Sequence, residues 1–193
     1  FYNKNMQKAI KERKFVESHM KKALDNNEFI IYLQPKFSIS SGEAIGYEAL
    51  VRWQSPERGM IYPDGFIPLF EENGFITKLD AYVWECACMV LRDWIDRHFT
   101  PLPISVNVSR ANLDDESFLD VLDGLIDKYR LPKHLLELEI TESIENDATL
   151  RMTEKIKEHG FVLLMDDFGS GYSSLNTLQD TRFDVLKLDR EFF

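Results

Sequence analysis

The stretch ISVNVS, residues 104–109, alternates without a break: Ile104, Val106 and Val108 share one parity, Ser105, Asn107 and Ser109 the other. LELEIT, residues 136–141, repeats the pattern, with Leu136, Leu138 and Ile140 opposing Glu137, Glu139 and Thr141. Period two is the signature of a strand with two unlike faces. A strand of an open sheet covered by helices on both sides is apolar on both faces. Here one face is polar and carries its most reactive side chains near the C-terminal end. That arrangement fits a (β/α) barrel, whose strand ends and following loops converge on one mouth.

Outward from these two segments, strand-like runs recur as FIIYL (29–33), AIGYEALVRW (44–53), FVLLMD (161–166) and DVLKLD (184–189). Helical spacing covers 78–98, 115–129 and 149–159, with shorter stretches at 66–72 and 173–179. Strand, helix, strand at intervals of about 30 residues describes βαβ units in a parallel sheet. Residues 6–26 are highly charged, and Met6, Ala9, Ile10, Phe15, Val16, Met20 and Leu24 recur at roughly helical intervals. They predict a long amphipathic helix that links residues 28–193 to an upstream domain.

At 193 residues the chain can bury one substantial core. No uncharged apolar run approaches a membrane span, and the first residues lack a signal-peptide core. Cys86 and Cys88 lie two apart on a predicted helix, where their side chains do not face each other. Reduced thiols in a cytoplasmic protein are therefore expected. The formal net charge of −10 argues against binding to nucleic-acid polymers or anionic lipid. A small anionic ligand held through cations remains compatible with it.

The strand ends present Glu48, Asn107, Glu139, Asp166, Asp167 and Lys187. Four carboxylates and an amide oxygen form a hard donor set suited to Mg²⁺ or Mn²⁺ rather than zinc. The adjacent aspartates further allow two cations about 4 Å apart, the arrangement used for in-line attack on phosphodiesters. Lys187 in the same mouth can orient a water or neutralise a phosphoryl oxygen. Taken singly, each residue has a plainer role. An aspartate pair can cap a helix or sit in a solvated turn, and Lys187 can pair with Asp189. Of Glu137 and Glu139, one can face solvent.

The segments YEALVRW, ISVNVS, LEITES, MDDFGSGYSSL and FDVLKLDREF, in this order, resemble the EAL domain, the cyclic-di-GMP phosphodiesterase family. The resemblance implies a modified TIM-like (β/α) barrel that hydrolyses cyclic di-GMP to linear pGpG with Mg²⁺ or Mn²⁺. It implies that Glu48, Asn107, Glu139 and Asp166 bind one metal, Asp167 serves a second, and Lys187 holds the nucleophilic water. Gln34, Arg52 and Asp189 would contact the substrate. Glu142 would brace the loop 168–174, which the family uses in dimerisation and in placing Asp167. The opening FYNKN resembles the tail of a GGDEF domain, so residues 1–27 would be an interdomain linker, and an upstream domain could anchor the full protein to a membrane.

The family continues beyond its sixth strand with a seventh that carries another glutamate and an eighth with a glutamine-containing loop. The 193 residues include neither, so about six of the eight strands are expected, in an open barrel with an incomplete active site. Two readings follow: a phosphodiesterase domain of a longer signalling protein, or a module that binds cyclic di-GMP without turnover.

Overall fold

FIIYLQPKF and AIGYEALVRWQS are separated only by residues 38–43, too short a link for a parallel crossover, so the two pair as an antiparallel hairpin. The computed structural model describes residues 4–141, 147–168 and 183–188. The hairpin strands are β1 (Phe29–Phe37) and β2 (Ala44–Ser55), and a short β3 (Gly59–Ile61) folds back on β2. From β2 the sheet continues with parallel strands β4 (Ile104–Asn107), β5 (Leu136–Thr141), β6 (Val162–Phe168) and β7 (Val185–Leu188). The order is β1-β2-β4-β5-β6-β7, and among the described residues β1 and β7 are not paired with each other. All six expected strands form. The antiparallel first strand makes this a modified barrel rather than a uniform βαβ array.

The helices are α1 (Lys4–Asp25), α2 (Ile67–Glu72), α3 (Ile76–Asp96), α4 (Arg110–Leu113), α5 (Ser117–Tyr129) and α6 (Asp147–Glu158). Helices α3, α5 and α6 occupy the crossovers between parallel strands, as the periodicity predicts, each within a few residues of its expected span. The short helix expected at 173–179 lies outside the described residues. Strand β3 and helix α4 were not legible, because three or four residues carry no measurable period.

One face of each strand packs under helices. Phe29 opposes Trp53 across the hairpin, and Trp53 is fully buried among Phe15, Phe29 and Phe66, with ring centroids 5.9, 5.2 and 6.1 Å away. Its indole Nε1 donates to Glu28 Oε2 at 3.0 Å, so the one polar atom of the ring is satisfied. Helix α1 contributes Phe15, Val16 and Ala23 to this core while Met6 and Ile10 stay exposed. Helix α3 buries the stripe Ile76, Leu79, Val83, Ala87, Cys88 and Leu91. Cys86 and Cys88 are both free thiols, and burial pushes Cys88 up to about 12. Among the described residues no helix is long and apolar enough to cross a membrane.

The other face turns to the interior of the curved sheet. Registers Glu48↔Ser105↔Glu137, Asn107↔Glu139 and Thr141↔Asp166 bring the polar parity of each strand beside that of the next. Replacing Trp53 with alanine removes the hub of the aromatic cluster and the indole donor to Glu28 Oε2. The expected cost is about 3–5 kcal/mol of unfolding free energy, read from denaturant melts of wild type and variant. A change below about 1 kcal/mol would show that α1 and the hairpin do not depend on this contact.

Candidate metal centre

Parallel register and period-two alternation carry Glu48, Glu139 and Asp166 to one point, where a carboxylate oxygen from each lies within 4.8 Å of the others. Glu139 is completely buried, on the central strand of the three. Burial pushes its carboxyl upward, Glu48 adds to the shift, and Lys187 opposes it. Lys187, arriving from β7, places its ammonium 3.0 Å from Glu48 Oε2, 3.0 Å from Glu139 Oε2 and 2.9 Å from Asp166 Oδ1. Desolvation alone would lower the pKa of Lys187; the three carboxylates more than offset it, and the net shift is upward. With all three carboxylates facing it, the ammonium is a hydrogen-bond donor to each of them.

Glu139 Oε1 is buried with no hydrogen-bond partner among the described residues. A buried carboxylate oxygen left without a donor is costly, and a cation is one way to satisfy it. Together with the convergent oxygens of Glu48 and Asp166, it makes a donor set that fits a hard divalent ion.

The adjacent aspartates do not share one environment. Asp166 is half-buried in the cluster, whereas Asp167 is exposed, with its backbone in the left-handed region at φ 55°. The β6–β7 register shifts between Met165 and Phe168, and the Asp167 amide donates to Asp166 Oδ1 at 3.0 Å. The register irregularity and the left-handed backbone at Asp167 interrupt the regular strand where the two aspartates stand. Asn107 pairs in register with Glu139 and is exposed at the mouth. Gln34 lies opposite Glu48 on β1 and is exposed. The Arg52 guanidinium lies 5.9 and 5.6 Å from the ring centroids of Tyr32 and Tyr62. Glu142 and Asp189 lie outside the described residues.

A cavity of about 670 Å³ lies at the C-terminal ends of β2, β4 and β5, and Glu48, Glu139, Asp166 and Lys187 are not part of its wall. Its wall includes Leu50 and Arg52 from β2, Asp80 from α3, Asn107 and Ser109 after β4, and Thr141 from β5. That volume suits a nucleotide-sized ligand.

Sequence reading missed the brace behind this wall. Asp80 Oδ2 accepts from Ser109 N at 2.9 Å and Asn112 Nδ2 at 2.7 Å, and one turn further Trp84 Nε1 donates to the Asn107 carbonyl at 3.0 Å. Helix α3 thereby holds the loop that presents Asn107. The available signal was an acidic residue inside the apolar stripe of α3. Sequence also left open whether Glu137 or Glu139 faces solvent; both face the interior, and Glu137 pairs with Lys36 at 2.7 Å.

Burial raises Asp80 to about 6, with the hydrogen bonds from Ser109 and Asn112 holding it from going higher. Its ordinary value is 3.8, so between those values the folded state holds a proton that the unfolded chain has released. Stability from this group falls as pH rises through the window and returns on acidification. Relative to Asp80→Asn, the wild-type melting temperature should rise when pH is lowered from about 7 to about 4.5. Parallel melting curves at all pH values would contradict the assignment.

An open, barrel-like α/β sheet with a carboxylate–lysine centre and a cavity at its strand ends defines a (β/α)-barrel type of domain with a polar site at its mouth. The family model described as EAL domain matches residues 17–193, and the chain belongs to that family. It is 38% identical over 195 residues to an uncharacterized signaling protein of Caulobacter vibrioides, covering 100% of this chain and 24% of that protein. It is 35% identical to the cyclic di-GMP phosphodiesterase NbdA of Pseudomonas aeruginosa, covering 100% of this chain and 25% of that protein. The solved PaMucR phosphodiesterase, in complex with c-di-GMP, superposes with a TM-score of 0.85 at 33% identity, covering 92% of this chain and 73% of that one. The chain spans about a quarter of the length of the first of these relatives and of NbdA.

Proposed function

We propose that this domain hydrolyses cyclic di-GMP to linear pGpG in a reaction dependent on Mg²⁺ or Mn²⁺. The observation that carries the reading is the buried, unsatisfied Glu139 oxygen beside Glu48 and Asp166, in a member of the EAL family. Glu48, Asn107, Glu139 and Asp166 would hold one ion, and Asp167 a second. When bound, such ions polarise a phosphoryl oxygen and lower the pKa of a coordinated water.

The residues of the chain supply the rest. Lys187 donates hydrogen bonds at the centre of the cluster, which suits holding the attacking water and stabilising charge on a phosphoryl oxygen. Arg52, at the cavity wall, offers a phosphate a planar donor already restrained by two tyrosine faces. Gln34 and Asp189 complete substrate binding, and Glu142 braces the loop 168–174, the family's dimerisation element. In this reading residues 1–27 link an upstream GGDEF or sensor domain to the phosphodiesterase domain at 28–193, and the protein works in the cytoplasm as a homodimer.

The test is hydrolysis by the full-length protein. Asp166→Asn and Glu48→Gln each remove one charged ligand and should lower turnover at saturating Mg²⁺ by about a hundredfold or more. Near wild-type turnover in either variant would sink the ligand assignment. Binding of cyclic di-GMP by the wild type with no turnover in Mg²⁺ or Mn²⁺ would replace the enzyme with a binding module.

A further inference from the structure

Beneath the carboxylate cluster lies a second ion pair that its chemistry does not use. Lys36, on β1, reaches across β2 to place its ammonium 2.7 Å from Glu137 Oε2 and 3.2 Å from Ser105 Oγ. Ser105 is fully buried and its hydroxyl in turn donates to the Tyr47 carbonyl at 3.2 Å. The crossing depends on Gly46, the register partner of Lys36. A Cβ at position 46 would sit 3.1 Å from Lys36 Cε and 3.1 Å from the Pro103 carbonyl oxygen. Both partners are largely withdrawn from water, their side chains 25% and 13% exposed.

Glu137 stands on the same face of β5 as Glu139, two residues earlier, a strand repeat of about 7 Å. A bare carboxylate there would add to the repulsion within the cluster above. A bare ammonium would repel any cation bound there. Resting on the metal-centre reading above, we propose that Lys36 and Glu137 form a charge-neutral floor whose balance sets the divalent-cation affinity of the centre. Lys36 is a positioning residue: it touches neither the cluster nor the cavity wall, and it acts through the field inside the barrel. At this separation in a protein interior, one unit of charge changes divalent-ion affinity by about tenfold or more.

The experiment is a Mn²⁺ titration of the full-length protein, read by electron paramagnetic resonance, with thermal melts of the metal-free forms alongside. Glu137→Gln leaves Lys36⁺ unopposed and should weaken Mn²⁺ binding about tenfold or more. Lys36→Met/Glu137→Gln restores neutrality and should return the affinity to within about twofold of wild type, even though the pair is gone. Lys36→Arg keeps the charge and should bind like wild type. A purely structural pair predicts the opposite ranking, with the double variant at least as impaired as Glu137→Gln. That ranking, or wild-type affinity in Glu137→Gln, overturns the inference while leaving the metal centre standing. Absence of Mn²⁺ binding by the wild type overturns the metal-centre reading and this inference with it.

Discussion

Three carboxylates whose oxygens approach within 4.8 Å of one another, one of them wholly buried, are a burden the rest of the architecture is arranged to carry. Like charges at that distance in a low-dielectric interior repel strongly, and each also loses its hydration. Lys187 is the visible compensation, and it comes from β7, at the far side of the sheet from the hairpin that carries Glu48. The centre therefore depends on curvature: only a sheet bent toward a barrel brings β2 and β7 within one lysine's reach. Packing of the opposite strand faces under α3, α5 and α6 maintains that bend.

The same reasoning explains the layering of the interior. A polar face buried inside a barrel must pair its charges along the strand as well as across it. Glu137 and Glu139 succeed each other on β5, and each takes its own lysine, one from β1 and one from β7. Each charge is met locally, so neither lysine serves both layers. Outside the barrel, α3 extends the order to the mouth. Asp80 and Trp84 tie the β4–α4 loop to a rigid helix, the kind of support that keeps a site residue in place.

Much of this was legible because alternation is a strong signal wherever one face is buried. ISVNVS and LELEIT revealed strand, face and register parity together, and the five separated motifs supported the family. The sequence was silent on partners far apart in the chain. Lys36 and Glu137 are 101 positions apart, and nothing local marks them as a pair. Asp80 reads as a polar interruption in an amphipathic helix until its acceptors are seen to meet the backbone after β4. The bulge at Asp167 is likewise invisible: adjacent aspartates alternate in any regular strand, and only the shift in register shows how far they part.

A chain this acidic has to confine its positive charge to particular places, and the mouth shows how that charge is divided. Deep in the barrel Lys187 engages one oxygen each of Glu48, Glu139 and Asp166, while Glu139 Oε1 is left without a hydrogen-bond partner among the described residues. In the reading proposed above, a divalent ion held by that oxygen and its neighbours would add positive charge beside the ammonium. Nearer the surface, Arg52 lies close to the faces of Tyr32 and Tyr62, and its Nη1 donates to the Val51 carbonyl at 2.8 Å, so the guanidinium is restrained by both rings and at its edge. Positive charge is thus placed at two depths, an arginine nearer the rim and a lysine at the base. Under the proposed function these two positions would draw in and hold the anionic substrate, while the net charge of the chain stays strongly negative.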